Sequence, residues 1–437
     1  MHGPDRRSDW TRRSFLGAMA VAPAAAMAAD AESPVPWEGI GGFVDPVPQA
    51  LTLSNATVID HHGRIREGMG IRVEGGRIVE LASQLQGGVD VGGDWIVPGF
   101  TDACSHLGLF EVGAESGSRD DSDTGSITPD ARAWDGYNPL SAPVPVARVE
   151  GITHTILCPS LGRLVSGQAA LVRTAGRTVE EAVLRGPVAL CVSMGRGGLG
   201  GDGAPSSRIG VGRALRAWMD EAPEPRQLPK RGAREASPAD DSLSPADRVV
   251  QSVRERRMKV MVSVNRADDI ERALGWLADA ELDGVLVGCA EGWMVADLLA
   301  ESAVPVVLGP LMVQPSSFNH PGARYDNAAI LHERGVPLAF SSRANHHARG
   351  LRADAGVLVA HGLPWEAAIR ALTVGGAEAF SIPGLGRMEQ GGRASFFRAT
   401  GDPLQPRTRI KEVWIGGRRT SMKTRQSELY ERFKTLR

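Results

Sequence analysis

Apolar and polar residues alternate in two distinct rhythms along this chain. From Leu51 to Ile96 the pattern has a short period: LTLSNATVID, GIRVEGGRIVEL and DWIVPGF are brief β segments separated by Gly- and Asn-containing turns. From about Pro98 to Phe380 short apolar runs take over, at 96–100, 154–158, 168–173, 188–192, 259–264, 284–288, 304–308 and 337–341, several of them unbroken. Such runs mark strands covered on both faces. Amphipathic stretches lie between several of them and predict helices over 245–258, 266–280, 291–302, 324–334 and 364–380. Eight strands with intervening helices predict an α/β fold, a TIM (β/α)8 barrel over 98–384. After Gly384 the β rhythm returns in GRASFFRAT and IKEVWIGGRR, and a last helix is expected over 421–436.

Two stretches break this pattern. Residues 112–146 form a long, acidic, Ser-rich connection, and 221–247 is a Pro- and charge-rich insertion expected to be exposed. The N-terminus reads as an address. Thr11-Arg12-Arg13-Ser14-Phe15-Leu16 precedes an Ala-rich, weakly apolar run ending in Ala26-Met27-Ala28. Residues 1–29 are therefore read as a twin-arginine signal peptide, which places the mature protein in the periplasm or outside the cell. No other apolar run reaches the length of a membrane span. The net charge of -2 and the lack of a basic stripe argue against a nucleic-acid partner.

The chemistry concentrates in Pro98-Gly99-Phe100-Thr101-Asp102-Ala103-Cys104-Ser105-His106. Side chains two apart on a strand point the same way, so positions 104 and 106 aim at one place. Two histidines so spaced would hold a metal; here one of the pair is Cys104. Cys104, Cys158, Cys191 and Cys289 all fall near the ends of predicted strands. A thiolate-rich zinc site of Cys104, His106, Cys191 and Cys289 is one reading, and free cysteines filling an apolar interior is the other. His154 is read as a hydrogen-bonded core residue, and His346 and His347 as loop residues. The run GRGGLGGDG at 195–203 lacks the lysine of a phosphate loop and reads as a flexible lid or a remodelled loop. Glu291 and Asp268 are expected at helix starts, where carboxylates suit the helix dipole.

Several segments, in order, resemble the amidohydrolase superfamily and, within it, the exported imidazolonepropionase-like branch: LSNATVID, EGGRIVEL, DWIVPGFTDACSHLGL, SITPDARAWDGYNP, NRADDIERAL, AEGWMVADLLAESAVPVVLGPLM, YDNAAILHERGVPLAF and GDPLQPRTRIKEVWIGGR. The resemblance implies a metal-dependent hydrolase barrel, plus a small β-sandwich built from both chain ends, 46–97 and 385–420. It also implies hydrolysis of C–N bonds, in cyclic amides or peptide-like substrates, by metal-bound hydroxide. The ligands that it implies are mostly replaced. Cys104 stands at the first histidine of the pair, Cys191 at a bridging lysine, Ser263 and Asn265 after the fifth strand, Gly288 after the sixth, and Arg343 at the aspartate after the eighth. No lysine precedes Lys230. Arg343 stays charged and offers no lone pair to a metal.

The expectation is therefore a non-catalytic protein with no cofactor, the partner or paralogue of an active amidohydrolase or of a second copy of itself. One alternative is an active C–N hydrolase with an atypical or one-metal site, with zinc as its metal. The other is a small-ligand binding protein that uses Arg343 and Asn265.

Overall fold

The structure, a computed structural model, describes residues 42–45, 47–221, 243–311, 313 and 318–435. The signal peptide read at 1–29 and most of the 221–247 insertion lie outside the described residues. No described helix is long and apolar enough to cross a membrane.

The first sheet takes strands from both chain ends. Its N-terminal members are β1 (Leu51–Ile59), β2 (Ile65–Glu74), β3 (Arg77–Ser83), β4 (Val89–Asp90) and β5 (Trp95–Pro98). Its C-terminal members, β14 (Phe396–Ala399), β15 (Ile410–Ile415) and β16 (Arg418–Arg419), join through an antiparallel β5–β14 ladder. Strand alternation at β14 sends neighbouring phenylalanines into two cores. Phe396 stacks on Trp414 inside this sheet's core, while Phe397 meets Phe100 edge-on and belongs to the barrel's core. One strand thus ties the small sheet to the barrel.

The barrel sheet runs in sequence order: β6 (Phe100–Ser105), β7 (Ile152–Leu157), β8 (Val165–Arg173), β9 (Val183–Ser193), β10 (Lys259–Val264), β11 (Gly284–Gly288), β12 (Val306–Leu308) and β13 (Leu338–Phe340). Alternation persists although almost every residue is buried. Val260, Val262 and Val264 pack outward with the helices, while Met261 joins the interior cluster with Cys191, Val285, Val287 and Val307. One strand departs from the expected all-parallel pattern: β8 is antiparallel to both neighbours. Parallel neighbours need a crossover of a dozen or more residues. The connections at 158–164 and 174–182 are too short for that, and the second holds only the helical turn Val179–Ala182.

Helices follow the predicted stretches with trimmed ends. They include Pro245–Arg254, opened by a Ser244/Asp247 capping box, and Ala267–Asp279, Ala296–Ser302 and Asn327–Glu333. The expected helix over 364–380 is split by a buried π-helical turn at Ala371–Gly375. Helices at Pro143–Val149, Arg208–Glu221 and Leu351–Ala360 carry no equally clear periodicity in sequence.

Strands β6 and β13 stand at the two ends of the ladder path, and the seam between them is closed mostly outside regular pairing. Arg343 N donates to Cys104 O at 3.0 Å, and His106 N to Ala344 O at 3.2 Å. Asp102 supplies the rest. Its carboxylate accepts from Ser342 N at 3.0 Å and from the Ser342 hydroxyl. Asp102 is almost fully buried, and desolvation drives its pKa up to about 7 even though the Ser342 bonds pull the other way. The folded state therefore holds a proton on Asp102 that the unfolded chain releases near pH 4. Stability from this group is greatest below pH 4 and declines as pH rises to about 7, by on the order of 4 kcal/mol in total. Asp102→Asn keeps the seam's geometry without the charge. Urea unfolding of the variant should lose this decline between pH 4 and 7; a slope equal to wild type would refute the assignment.

Candidate functional site

The C-terminal ends of β6, β10, β11 and β13 bring His106, Ser263, Asn265, Gly288 and Arg343 to the barrel mouth. His106 is half-buried just past β6, and its Nδ1 lies 2.9 Å from Cys158 O. A carbonyl only accepts, so Nδ1 carries the hydrogen and Nε2 keeps its lone pair. Burial and the nearby Arg343 charge lower the His106 pKa, in that order among the lowering causes, which keeps the ring neutral.

Arg343 adopts a left-handed backbone, φ +46°, which is unusual for a residue with a side chain. Its guanidinium crosses the mouth from the β13 side to β10, where Nη2 donates to Ser263 Oγ at 3.3 Å. Among the described residues no carboxylate pairs with it. Its charge is felt at His106, Cys104 and Cys289 alike. A fixed cation thus sits beside a neutral histidine, protonated thiols and a serine hydroxyl.

Gly288, on the next strand, has no room for a side chain. Its φ is +104°, and a Cβ there would lie 2.5 Å from both Asn265 Oδ1 and Val264 O. No side chain fits, so a histidine at this position is sterically barred. Asn265 therefore packs against bare backbone, and its carbonyl accepts from Glu291 N at 2.9 Å.

The four donors Cys104, His106, Cys191 and Cys289 do not assemble. Among the described residues no group of three or more His, Cys, Asp or Glu is placed to hold a metal. Alternation explains the separation. Cys191 faces the barrel interior below the mouth, Cys104 joins that interior cluster, and Cys289, after a left-handed turn, packs into the outer core with the helices. The thiol that sequence reasoning set aside, Cys158, is the one that Cys104 touches. Burial raises the pKa of Cys289 to about 12 and those of Cys104 and Cys158 well above their ordinary value, with the Cys158 contact the first cause for Cys104. These are thiols, not thiolates.

The remaining candidates resolve individually. His154 is a core histidine: it is 2% exposed, bonds to Thr153 Oγ1 at 2.9 Å, and burial drives its pKa down to about 3. His346 and His347 are exposed loop residues, and His346 lies edge-on to Phe110. The 195–203 run is not a free lid. A Cβ at Gly197, Gly198 or Gly200 would come within 2.0–2.4 Å of Leu161 O, Ser193 O or Gly162 O. These glycines let two backbones touch. Asp268 sits in a first helical turn and pairs with Arg266 and Arg272. Glu291 does not cap its own helical turn; its carboxylate accepts from Ala267 N, opening the neighbouring helix, and from Gly322 N. It also borders an open groove of about 650 Å³ lined by Arg266, Asp268, Met294 and Phe318.

Searches by sequence return no matching family model and no matching curated protein. Solved structures do match. An amidohydrolase from Thermotoga maritima superposes with a TM-score of 0.74 at 23% identity, covering 84% of this chain and 99% of that one. The chain has the amidohydrolase fold. A prolidase solved with N-methylphosphonate-L-proline (TM-score 0.54, 16% identity, 86% and 100% coverage) shares the amidohydrolase fold with it. So does an adenosine deaminase from Xanthomonas campestris with bound zinc (0.50, 16%, 89% and 98%). In this amidohydrolase fold the residues at the mouth do not fit a divalent metal: one oriented histidine faces a guanidinium, and the positions around it carry Ser, Asn and Gly.

Gly288→Ala tests the steric bar. It should destabilise the fold by roughly 3 kcal/mol, through strain at positive φ and the clash with Asn265. Chemical denaturation would measure it, and a loss below ~1 kcal/mol would show that the mouth can yield at this point.

Proposed function

We propose that this protein is a non-catalytic barrel of the amidohydrolase type, whose mouth binds the anionic group of a small ligand through Arg343. The observation that carries the reading is the Arg343 guanidinium, which pairs with no carboxylate among the described residues and is held by Ser263 and a left-handed backbone. An arginine fork matches a carboxylate or phosphate in two parallel hydrogen bonds, and a half-buried site strengthens them. Metal-assisted hydrolysis needs a cation that lowers the pKa of water and a base that moves its proton. Arg343 does neither, because it coordinates no oxygen and releases no proton at working pH.

One observation favours a second reading, an active C–N hydrolase with a single metal. His106 presents Nε2 as a free lone pair, with Nδ1 tied to a backbone carbonyl, which is how a metal-binding histidine is oriented. The adjacent guanidinium repels a divalent ion at that nitrogen, so the binding reading is preferred.

Calorimetry of the purified protein against small carboxylates and inorganic phosphate should find a ligand. Arg343→Met should weaken it at least tenfold, about 1.5–3 kcal/mol, without loss of fold. Hydrolysis of N-acyl amino acids, dipeptides or lactams after zinc addition, abolished in His106→Ala, would overturn the proposal in favour of the one-metal enzyme. Co-purification of a complete amidohydrolase, with no anion bound at the mouth, would replace it with a partner role.

A further inference from the structure

Below the mouth, three of the four cysteines and one of the twelve methionines of this chain meet inside the barrel. Met261 and Cys191 are paired across the β9–β10 ladder, and Cys158 follows β7. Cys158 Sγ lies 3.8 Å from Met261 Sδ, and Cys191 Sγ lies 4.0 Å from the same sulfur. Cys158 and Cys191 are also in side-chain contact, which closes a triangle of sulfur atoms. All three residues are fully buried. Cys104 also touches Cys158, but among the described residues the three thiols do not form a metal-holding group. The third donor that completes the triangle is a thioether.

From this geometry we propose that Cys158, Cys191 and Met261 form a binding site for a soft monovalent d10 cation, copper(I). A metal–sulfur bond of about 2.3 Å in a trigonal plane sets sulfur atoms about 4 Å apart, the spacing of both thiols from Met261 Sδ here. Thiolate and thioether donors select copper(I), whereas zinc takes four donors and gains little from a thioether. Binding exchanges protons for the metal: copper(I) adds to the two sulfhydryl groups and the thioether, and two protons leave to solvent. No electron is transferred. The resulting anionic complex lies under the mouth that holds Arg343, whose charge already reaches Cys104. This site is independent of the anion-binding reading, since it uses none of the mouth residues.

The test is anaerobic titration of the purified full chain with copper(I) against bathocuproine disulfonate. One equivalent should be retained, with a thiolate-to-copper absorption band in the near ultraviolet and a raised melting temperature. Met261→Leu, a volume-conserving change, should lower the affinity at least tenfold, and Cys191→Ser should abolish retention. Cys289→Ser, outside the triangle, should leave both unchanged. Loss of all copper to the chelator, or full retention by Met261→Leu, would overturn the proposal. Should the variants fold poorly, X-ray absorption of the copper-loaded wild type decides: three sulfur neighbours support the site, and nitrogen or oxygen neighbours refute it.

Discussion

Everything at the mouth of this barrel hangs on the seam between its first and last strands. A barrel has no free edge only if the last strand finds the first, and here β13 spans just Leu338–Phe340. The buried carboxyl of Asp102 takes over where the ladder stops, accepting both the backbone and the hydroxyl of Ser342. Three further contacts extend the closure upward. Ser341 Oγ donates to Cys104 O at 2.7 Å, Arg343 N shares the same carbonyl, and Gly108 N reaches Asn345 Oδ1 at 3.0 Å. That series fixes the backbone of residues 341–345, and with it the direction in which Arg343 leaves the strand. A carboxyl kept near neutrality by burial is suited to this task, because among the described residues no cation pairs with it.

With the seam set, the mouth follows from charge and space. Metal-binding sites of this architecture gather anionic or neutral donors around a cation. Here a cation is part of the chain, carried by the Arg343 side chain, and beside it stand a histidine with a lowered pKa, thiols kept protonated, a serine and an asparagine. Positive backbone φ clusters in the same place, at Gly288, Cys289 and Arg343. Such conformations cost energy unless the surroundings enforce them, and they concentrate where a site is shaped. The Gly288 turn and the Asn265 side chain fill the same space, so any side chain at 288 would require moving Asn265.

The connections on one side of the barrel show how a fold absorbs a local change. Two short links force β8 to run backwards, yet the strand keeps its place between β7 and β9. Interior packing survives because strand alternation does not depend on direction. Ala169 and Leu171 of β8 join the interior cluster with Cys191 and Met261, as residues of a parallel strand would.

How much of this was legible along the chain differs by physical scale. Strand positions, most helices and the β texture of both ends follow from periodicity, since burial of one face or of both faces writes itself into the local pattern. That Arg343 and Gly288 cannot coordinate a metal was legible too, because a guanidinium offers no lone pair and a glycine no side chain. Direction and proximity were not. The reversal of β8 depends on the length of two connections measured against the barrel, and the link between Cys104 and Cys158 joins residues far apart in sequence. Cys289 resembles the other cysteines in its surroundings along the chain, but a single left-handed turn sends it to the opposite side of the sheet. Residue type and spacing therefore determined which side chains can and cannot hold a metal. Only the closed barrel, by bringing distant strands within contact, decided which side chains stand together at its mouth and in its interior.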